Sequence, residues 1–388
     1  METPFFVIDE KGLENNIRVF RQGMRDHWLF SQLAYSVKTN SLPWVLSFMK
    51  DRDILAEVVS DEEYELALRC GYQEDRIVFN GPIKTKECFL KAIQNRAYVN
   101  VDSLRELQWL NGIEVTNARI GLRLNIPSGL FRLEDIDYTE DGFRFGFSES
   151  SDGFQTAIRL LRKIGVHSEI GLHLHCNSVT RAPDVYRVIT GYAVRIIEKY
   201  DLNLSFIDIG GGFWGGVPGK TTPDEYFSVI RSELEKSPRT AEIMLIAEPG
   251  SALIGSVVDL HTSVLDVKDM LQSRVVTTDG SRILIDPLWK KKRYSYSIET
   301  ANPIAKTAKQ IICGYTCMDH DRLMILTDEQ ELQVGDKIIY HRVGAYSMTF
   351  GGPFIRYYPD VYVQSDEKTV MVRKRFSTDD YYFLQAMR

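Results

Sequence analysis

Lys38 is the residue of this sequence whose position most clearly suggests chemistry. It stands in residues 34–40, AYSVKTN, where it ends an apolar, β-type run instead of lying on a charged surface. Burial penalises an ammonium more than a neutral amine, so a lysine at a dry strand end favours the free base that can condense with an aldehyde. Strands also end in lysines whose stems only cover apolar surface. Lys38 by itself leaves both interpretations open.

Further residues of chemical interest follow later apolar runs. They are Arg123, His173, His175, the triple glycine Gly210, Gly211 and Gly212, and Glu248. Each has a structural interpretation as well. A lone inward histidine is more often a satisfied core residue, and a triple glycine is often only a tight turn.

The elements that must position these residues form a regular alternation of apolar runs and amphipathic helical segments. Eight strands are predicted at residues 30–37, 54–60, 76–81, 97–102, 119–126, 169–176, 204–210 and 243–248. Eight β-α units in ~220 residues predict a (β/α)8 barrel of the TIM type, with an open doubly wound sheet as the alternative. In a barrel, chemistry gathers at the C-terminal ends of the strands, and the residues named above fall there.

From about residue 255 the pattern changes to β-rich alternation with turns. We therefore predict an α/β protein with a barrel over residues 25–250, followed by a mainly β C-terminal domain over residues 251–388 that the N-terminal strand, within residues 1–24, joins. The basic run 290–293 is typical of a solvated loop, and its alternative is contact with an anionic substrate.

Composition excludes several classes of partner. The chain has 388 residues and a formal charge of −6, so it has no general attraction to nucleic acid or to anionic membranes. It lacks a long apolar run or a secretory pattern, which predicts a cytoplasmic protein. The five cysteines are an odd number without C-x-x-C, so neither a disulfide framework nor a metal site is expected.

Pyridoxal 5′-phosphate would give the candidate residues one shared task. Lys38 would form a Schiff base with its aldehyde, and the turn Gly210–Gly212 would offer backbone N–H groups to its phosphate. A histidine would stack on the ring. Glu248 would keep the pyridine nitrogen protonated, which makes the ring an electron sink.

Several separated motifs then carry a family resemblance. They are residues 34–40 around Lys38, 174–178 (LHCNS), 208–213 (DIGGGF), 248–250 (EPG), 313–321 (CGYTCMDHD) and 344–346 (GAY). Over nearly its whole length the chain resembles the barrel-fold, or fold type III, pyridoxal-phosphate decarboxylases, which include ornithine, arginine and diaminopimelate decarboxylases.

The resemblance implies a role for each motif. It makes Lys38 the Schiff-base lysine and His175 the histidine that stacks on the cofactor. It makes Ser178 and Tyr346 phosphate ligands beside the glycine turn, and Arg123, on the fifth strand, is placed with the cofactor-binding residues. It also implies a homodimer with shared active sites, in which Cys317 serves the partner's site and protonates the substrate Cα as general acid.

Three positions depart from the family's motifs. Asn177 replaces a glycine, and Ser251 replaces the arginine of an E-P-G-R motif that lies near the phosphate. Met318 replaces an acidic residue that reads the distal end of the substrate, and a methionine cannot pair with an ammonium. Met318 and Lys290, the candidate substrate-binding residues, therefore suggest a small molecule whose tail is not simply cationic, such as a siderophore precursor or a carrier-bound aminoacyl group.

The resulting hypothesis is pyridoxal-phosphate-dependent decarboxylation of an amino acid or amino-acid conjugate, with release of carbon dioxide and an amine. One alternative is an amino-acid racemase of the related barrel fold, but such enzymes place an arginine at the pyridine nitrogen, where this chain has Glu248. Another is a cofactor-carrying protein or inactive paralogue. Barrel-only carriers lack the C-terminal β domain, and inactive paralogues typically lose the lysine or the cysteine that this chain retains.

Overall fold

The computed structural model describes residues 1–113, 115–137, 140–165, 167–300, 306–366 and 368–386. The chain divides into two compact units, one of Ile17–Ala252 and one of Met1–Asn16 with Leu253–Arg388. The division between Asn16 and Ile17 lies before the boundary predicted after residue 24. Residues 10–27 form one continuous helix, and its amphipathic pattern has no break at residue 16.

The elements of the first part of the chain alternate regularly. In chain order they are β1 (Phe5–Asp9), α1 (Glu10–His27), β2 (Ser31–Ser36), α2 (Pro43–Lys50), β3 (Leu55–Val58), α3 (Asp61–Arg69), β4 (Ile77–Phe79), α4 (Lys86–Gln94), β5 (Tyr98–Val101), α5 (Leu104–Gln108), β6 (Arg119–Asn125), β7 (Phe147–Ser148), α6 (Asp152–Ile164), β8 (Glu169–His173), α7 (Pro183–Lys199), β9 (Phe206–Asp208), α8 (Pro223–Leu234) and β10 (Met244–Ala247).

Eight parallel strands close into a barrel in the order β5-β4-β3-β2-β10-β9-β8-β6, and β5 pairs with β6 to complete the ring. The barrel and all eight predicted strands are thus confirmed. Strands that are covered on both faces read as continuous apolar runs, which is why the sequence shows them clearly. A buried core cluster joins six of them through Ala34, Leu55, Val78, Tyr98, Phe206 and Ile246.

Four predicted strands are at least two residues too long at their C-terminal ends, and two of them concern the site. The strand predicted at 169–176 ends at His173, and the one predicted at 204–210 ends at Asp208. Beyond these points the backbone leaves the ladder and forms loops. His175 and the glycine turn therefore lie on loops at the C-terminal end of the barrel, where side chains can face a ligand.

The second unit contains the remaining elements. They are α9 (Ser251–Ile254), whose last two residues belong to this unit, β11 (Val258–Asp269), β12 (Arg274–Thr278), α10 (Arg282–Ile285), β13 (Ser295–Glu299), β14 (Lys306–Cys313), β15 (Arg322–Gln330), β16 (Lys337–His341), β17 (Asp360–Gln364), β18 (Thr369–Arg373) and α11 (Thr378–Gln385).

The sheet of this unit is mixed. Its order is β15-β14-β12-β11-β1-β17-β18, with β16 also paired to β11 and β13 paired to β16. β1 runs antiparallel to β11 and parallel to β17. The mainly β character predicted for the C-terminal part is confirmed.

Two negative findings accompany the fold. Among the described residues, no helix has the length and apolar character needed to cross a membrane. All five cysteines lie in the described ranges and are free thiols.

Candidate active site

Lys38 follows β2 directly, in a single 3-10 turn over Val37–Thr39. Its Nζ donates hydrogen bonds to Glu57 Oε2 at 2.7 Å and to Ser36 Oγ at 2.8 Å. Burial would raise the pKa of Glu57, but the charge and hydrogen bonds of Lys38 hold it below its ordinary value. A buried carboxylate on β3 therefore fixes the direction of the Lys38 amine, although the lysine side chain remains 38% exposed.

Two asparagines extend this contact across the end of the barrel. Asn80 Nδ2 donates to Glu57 Oε1 at 3.1 Å and to Glu248 Oε1 at 2.6 Å. Asn100 Nδ2 donates to Asn80 Oδ1 at 2.8 Å and to Asp208 Oδ2 at 2.9 Å. One hydrogen-bonded network thus connects Lys38 with Glu248, the two residues assigned to opposite ends of the cofactor.

Glu248 and Asp208 form a buried carboxyl pair. Burial, and then the charge of Asp208, raise the pKa of Glu248 well above its ordinary value, and burial raises the pKa of Asp208 to about 6. Two carboxyl groups in contact cannot both ionise cheaply, so the pair shares a proton near neutral pH. Glu248 is consequently able to present a proton to a ring nitrogen.

His173 completes this corner of the site. Its Nε2 lies 3.8 Å from Glu248 Oε2, and neither ring nitrogen forms a hydrogen bond among the described residues. Burial lowers the pKa of His173 well below its ordinary value, so the ring is neutral.

His173, Asp208 and Glu248 have the ligand types and spacing that a metal ion could use, with their ligand atoms within 4.8 Å of one another. Asp208 already accepts hydrogen bonds from Gly210 N and Asn100, and Glu248 accepts one from Asn80. Because these donors occupy much of the carboxyl capacity, the arrangement suits a shared proton better than a cation.

The glycine turn lies against His175 and the backbone of Glu248. A Cβ on Gly210 would lie 2.6 Å from His175 Cβ, and a Cβ on Gly211 would lie 2.5 Å from the Glu248 carbonyl oxygen. Gly211 N donates to His175 Nδ1 at 3.3 Å. Burial, followed by the charge of Arg123, lowers the pKa of His175 to about 3 and keeps the imidazole neutral for stacking.

The turn offers fewer amides to a phosphate than the sequence suggests. Gly210 N is bonded to Asp208 Oδ1, and Gly211 N to His175. Of the three glycine amides, that of Gly212 is the one without an acceptor among the described residues. A phosphate bound here needs further donors from neighbouring residues.

Arg123 contacts the backbone of His175. Its Nη2 donates to the His175 carbonyl oxygen at 3.5 Å, and its Nη1 lies 3.5 Å from Asp102 Oδ1. The guanidinium is 4.5 Å from the ring centre of Phe145. Arg123, His175 and Phe145 line a cavity of about 560 Å³ within the barrel unit.

Four predicted site residues lie in the other unit. Cys317 and Met318 share the loop 313–321, which Asp321 braces by accepting hydrogen bonds from Ser281 Oγ at 2.9 Å and Thr316 Oγ1 at 2.8 Å. Cys317 is exposed. Tyr346 has a φ of 59° and Lys290 is anchored through its backbone, and these two lie in other loops.

Lys290 lines a second cavity, of about 640 Å³, within this unit. The cations of its lining are Arg282, Lys290, Lys291, Lys292, Arg293 and Arg322. The basic run predicted to be a solvated loop therefore also lines a concave surface suited to an anion.

Four site residues were not predicted from the sequence, namely Glu57, Asn80, Asn100 and Asp208. A signal for them exists, because each is a lone polar residue within or directly after a buried apolar strand. Such residues are buried at a cost unless they are hydrogen-bonded, so their position marks a network.

The residues present fit pyridoxal 5′-phosphate. The site offers an oriented primary amine and a carboxyl pair that holds a proton. It also offers a glycine turn that packs too closely on His175 and Glu248 to leave room for a Cβ. It also contains a fully buried imidazole without a polar partner among the described residues.

The chain is similar to known proteins of one family. Residues 13–255 match the family described as pyridoxal-dependent decarboxylase, pyridoxal binding domain. The probable chloroplastic diaminopimelate decarboxylase of Oryza sativa subsp. japonica is 28% identical over 98% of this chain and 79% of its own length. The diaminopimelate decarboxylase of Archaeoglobus fulgidus is 26% identical over 91% of this chain and 85% of its own length.

A solved structure has the same fold. Diaminopimelate decarboxylase of Helicobacter pylori, complexed with L-lysine, superimposes with a TM-score of 0.81 at 23% identity, over 99% of this chain and 97% of that one. At this identity the likeness shows the fold alone.

The family match covers well over half of the chain, and none of the comparisons supports a racemase or a non-catalytic protein. The protein belongs to the pyridoxal-dependent decarboxylases and is a carboxy-lyase that uses pyridoxal 5′-phosphate to decarboxylate an amino acid.

Proposed function

We propose that Lys38 holds the cofactor aldehyde covalently and that Glu248 faces its pyridine nitrogen. The observation that carries this proposal is the network from Lys38 through Glu57 and Asn80 to Glu248, which links an amine to a proton-holding carboxyl across the barrel end. When bound, the cofactor supplies an electron sink for the pair released from the Cα–carboxylate bond.

The chain's own residues then have defined tasks. Glu248 holds the proton at the ring nitrogen, and Asp208 and Asn80 keep that carboxyl in place. His175 packs its neutral imidazole against the ring, since Arg123 and burial disfavour its charged form. Glu57 orients the Lys38 amine by accepting its hydrogen bond.

We assign the phosphate to the loop side of the site. Ser178 and the Gly212 amide lie on the loops that follow β8 and β9, where a phosphate can accept their hydrogen bonds. The resemblance adds Tyr346. The Gly210 and Gly211 amides are bonded to Asp208 and His175, so the Gly210–Gly211 segment acts chiefly through close approach.

The substrate we propose is an amino acid whose distal end does not depend on pairing a free ammonium with the residue after Cys317. Met318 occupies that position and offers no charge. The basic cavity around Lys290 suits a carboxylate or another anion.

Diaminopimelate is a second candidate, because two relatives are named diaminopimelate decarboxylases. The distal end of diaminopimelate includes a carboxylate. A siderophore precursor or a carrier-bound aminoacyl group stays within the proposed class, but no comparison supports either one.

We further propose a homodimer in which Cys317 of the partner subunit delivers a proton to the substrate Cα. The support is the resemblance of residues 313–321 to the family segment and the exposure of Cys317. A cytoplasmic location remains a prediction from the sequence, which cell fractionation would test.

Two measurements test the proposal. Borohydride reduction of the holoenzyme should fix a pyridoxyl group on the peptide that contains Lys38, and a label on Lys290 would overturn the assignment. Carbon dioxide release should then be screened over L- and D-amino acids, diaminopimelate and citryl conjugates. Lys38→Ala is the control and should lose turnover almost completely.

A further inference from the structure

We infer that Arg181 binds the cofactor phosphate and supplies the positive charge that Ser251 cannot provide. This inference rests on the proposed cofactor orientation, because it requires the phosphate to lie beside Ser178 and Gly212. It adds a residue to the phosphate site that sequence motifs did not identify.

Arg181 lies between the elements of the proposed phosphate site. Its backbone N–H donates to Ser178 Oγ at 3.0 Å, and its Nη1 donates to Ser251 Oγ at 3.1 Å. The same Nη1 contacts the carbonyl oxygen of Phe213, the residue after Gly212, at 3.4 Å. The guanidinium therefore sits next to the Ser251 hydroxyl and the end of the glycine turn, and the Arg181 backbone is bonded to the Ser178 hydroxyl.

The charge of Arg181 has no anionic partner among the described residues. Its hydrogen-bond acceptors are a hydroxyl and a carbonyl, and none of them is a carboxylate. The guanidinium stacks on the Trp214 ring at 4.6 Å, and Lys220 contacts the same ring at 5.0 Å. Two cations beside one ring, with a half-buried guanidinium, make this place favourable for a dianion.

The backbone of Arg181 is held in an uncommon conformation. Its φ is 54°, in the left-handed region that side-chain-bearing residues rarely adopt. Tyr226 Oη donates to its carbonyl oxygen at 2.5 Å and helps to fix it. Such conformations persist where the surrounding structure imposes them, often at ligand sites. Here the conformation presents both the N–H and the side chain toward one region.

A substrate carboxylate is the other anion that Arg181 could bind. The phosphate is favoured because Ser178 and Ser251 contact Arg181 directly, whereas Lys38, where a substrate amine would react, contacts Glu57 and Ser36 instead.

The test compares pyridoxal 5′-phosphate with pyridoxal, which lacks the phosphate, in titrations of the full-length apoprotein. Arg181→Gln should weaken the affinity for pyridoxal 5′-phosphate at least tenfold, as expected for a lost charge-assisted pair, and leave that for pyridoxal unchanged. Ser251→Arg in the Arg181→Gln background should restore most of the affinity. Arg187→Gln removes an exposed arginine of α7 and serves as the matched control.

Two results for Arg181→Gln would overturn the inference: unchanged affinity for pyridoxal 5′-phosphate, or an equal loss of affinity for both ligands. A rise in the KM for the substrate alone would also overturn it and would assign Arg181 to the substrate carboxylate. If Arg181→Gln does not fold, Ser251→Asp neutralises the guanidinium without changing Arg181. It should weaken only the phosphorylated ligand, with Ser251→Asn as control, and equal affinities would overturn the inference. Lys38 labelling that persists while these tests fail would leave the proposed function standing.

Discussion

Glu248 shows how one residue's surroundings decide its chemistry. It is 4% exposed, shares a proton with Asp208, and receives a hydrogen bond from Asn80. A carboxyl group whose pKa is raised in this way can keep a proton close to a ring nitrogen at neutral pH. The role proposed for Glu248 therefore depends on exchange of that proton and not on packing.

Glu248→Gln should retain the shape of the side chain and remove the exchangeable proton. We expect turnover to fall at least ~100-fold, or about 3 kcal/mol of barrier, with the cofactor still bound. Steady-state kinetics together with cofactor absorbance would show this. Glu233→Gln, at a carboxylate of α8 that pairs with Lys236, is the control. Turnover near that of the wild type would argue against a protonated ring and revive the racemase alternative.

Glu57 is one of the four site residues that were not predicted from the sequence. Lys38, Ser36 and Asn80 all donate to it, so truncation would remove one acceptor from each of these three donors. Glu57→Ala should lower the free energy of unfolding of the apoprotein by about 2 kcal/mol, the cost of unsatisfied buried polar groups. Urea unfolding measures the change. The exposed neighbour Glu62→Ala is the control, and an equal effect of both substitutions would contradict a network centred on Glu57.

At the scale of elements, the sequence predicts the barrel strands well and the loops between them less well. β3 and β4 are buried on both faces, and their apolar runs are visible without any structure. The pattern cannot show where a strand stops pairing, so the predicted ends after β8 and β9 extend into the site loops. Arg181 could not be found from the sequence, because its contact with Ser251 spans 70 positions along the chain.

The glycine turn yields an element-scale prediction. Gly211→Ala would place a Cβ 2.5 Å from the Glu248 carbonyl oxygen and must displace one of the two loops. The affinity for the cofactor should fall at least tenfold, measured by titration of the apoprotein. Gly129→Ala is the matched control, since a Cβ there would meet nothing within 4 Å. Equal cofactor affinity of the two variants would show that the turn tolerates displacement.

The loop 313–321 gives a prediction about specificity. Met318→Glu would add the acidic residue that the resemblance leads one to expect, and its carboxylate could pair with a distal ammonium. We expect kcat/KM for free lysine or ornithine to rise about fivefold, which corresponds to the upper range of about 1 kcal/mol for an exposed ion pair. Met318→Gln, which has similar length and no charge, is the control. An identical gain in both variants would remove charge as the cause.

At the scale of the whole molecule, the sequence pattern predicts a barrel and a mainly β part, but it does not predict which distant strands pair with each other. The chain's first strand, β1, pairs in parallel with β17, so that Phe5 lies opposite Asp360. Alternation of apolar residues shows which face of a strand is buried but not which strand will be its neighbour. Long-range pairings of this kind, and the association of whole chains, must come from three-dimensional evidence.

The proposed homodimer leads to a prediction for the entire assembly. In a two-fold dimer both sites are equivalent, so each would combine Lys38 of one subunit with Cys317 of the partner subunit. Lys38→Ala and Cys317→Ala should each be nearly inactive in amine formation. When the two variants are mixed under conditions of subunit exchange, about half of the dimers become mixed, and each mixed dimer has one intact site and one doubly defective site.

Amine formation in this mixture should approach roughly a quarter of the wild-type level, from one half of the dimers with one half of their sites intact. Exchange is verified independently with differently tagged chains, and wild-type protein carried through the same treatment sets the reference. Mixing Lys38→Ala with itself provides the control for recovery by handling alone. If exchange occurs without recovery, both residues act within one chain, and the geometry of a shared site must be replaced by one in which Cys317 serves the barrel of its own subunit.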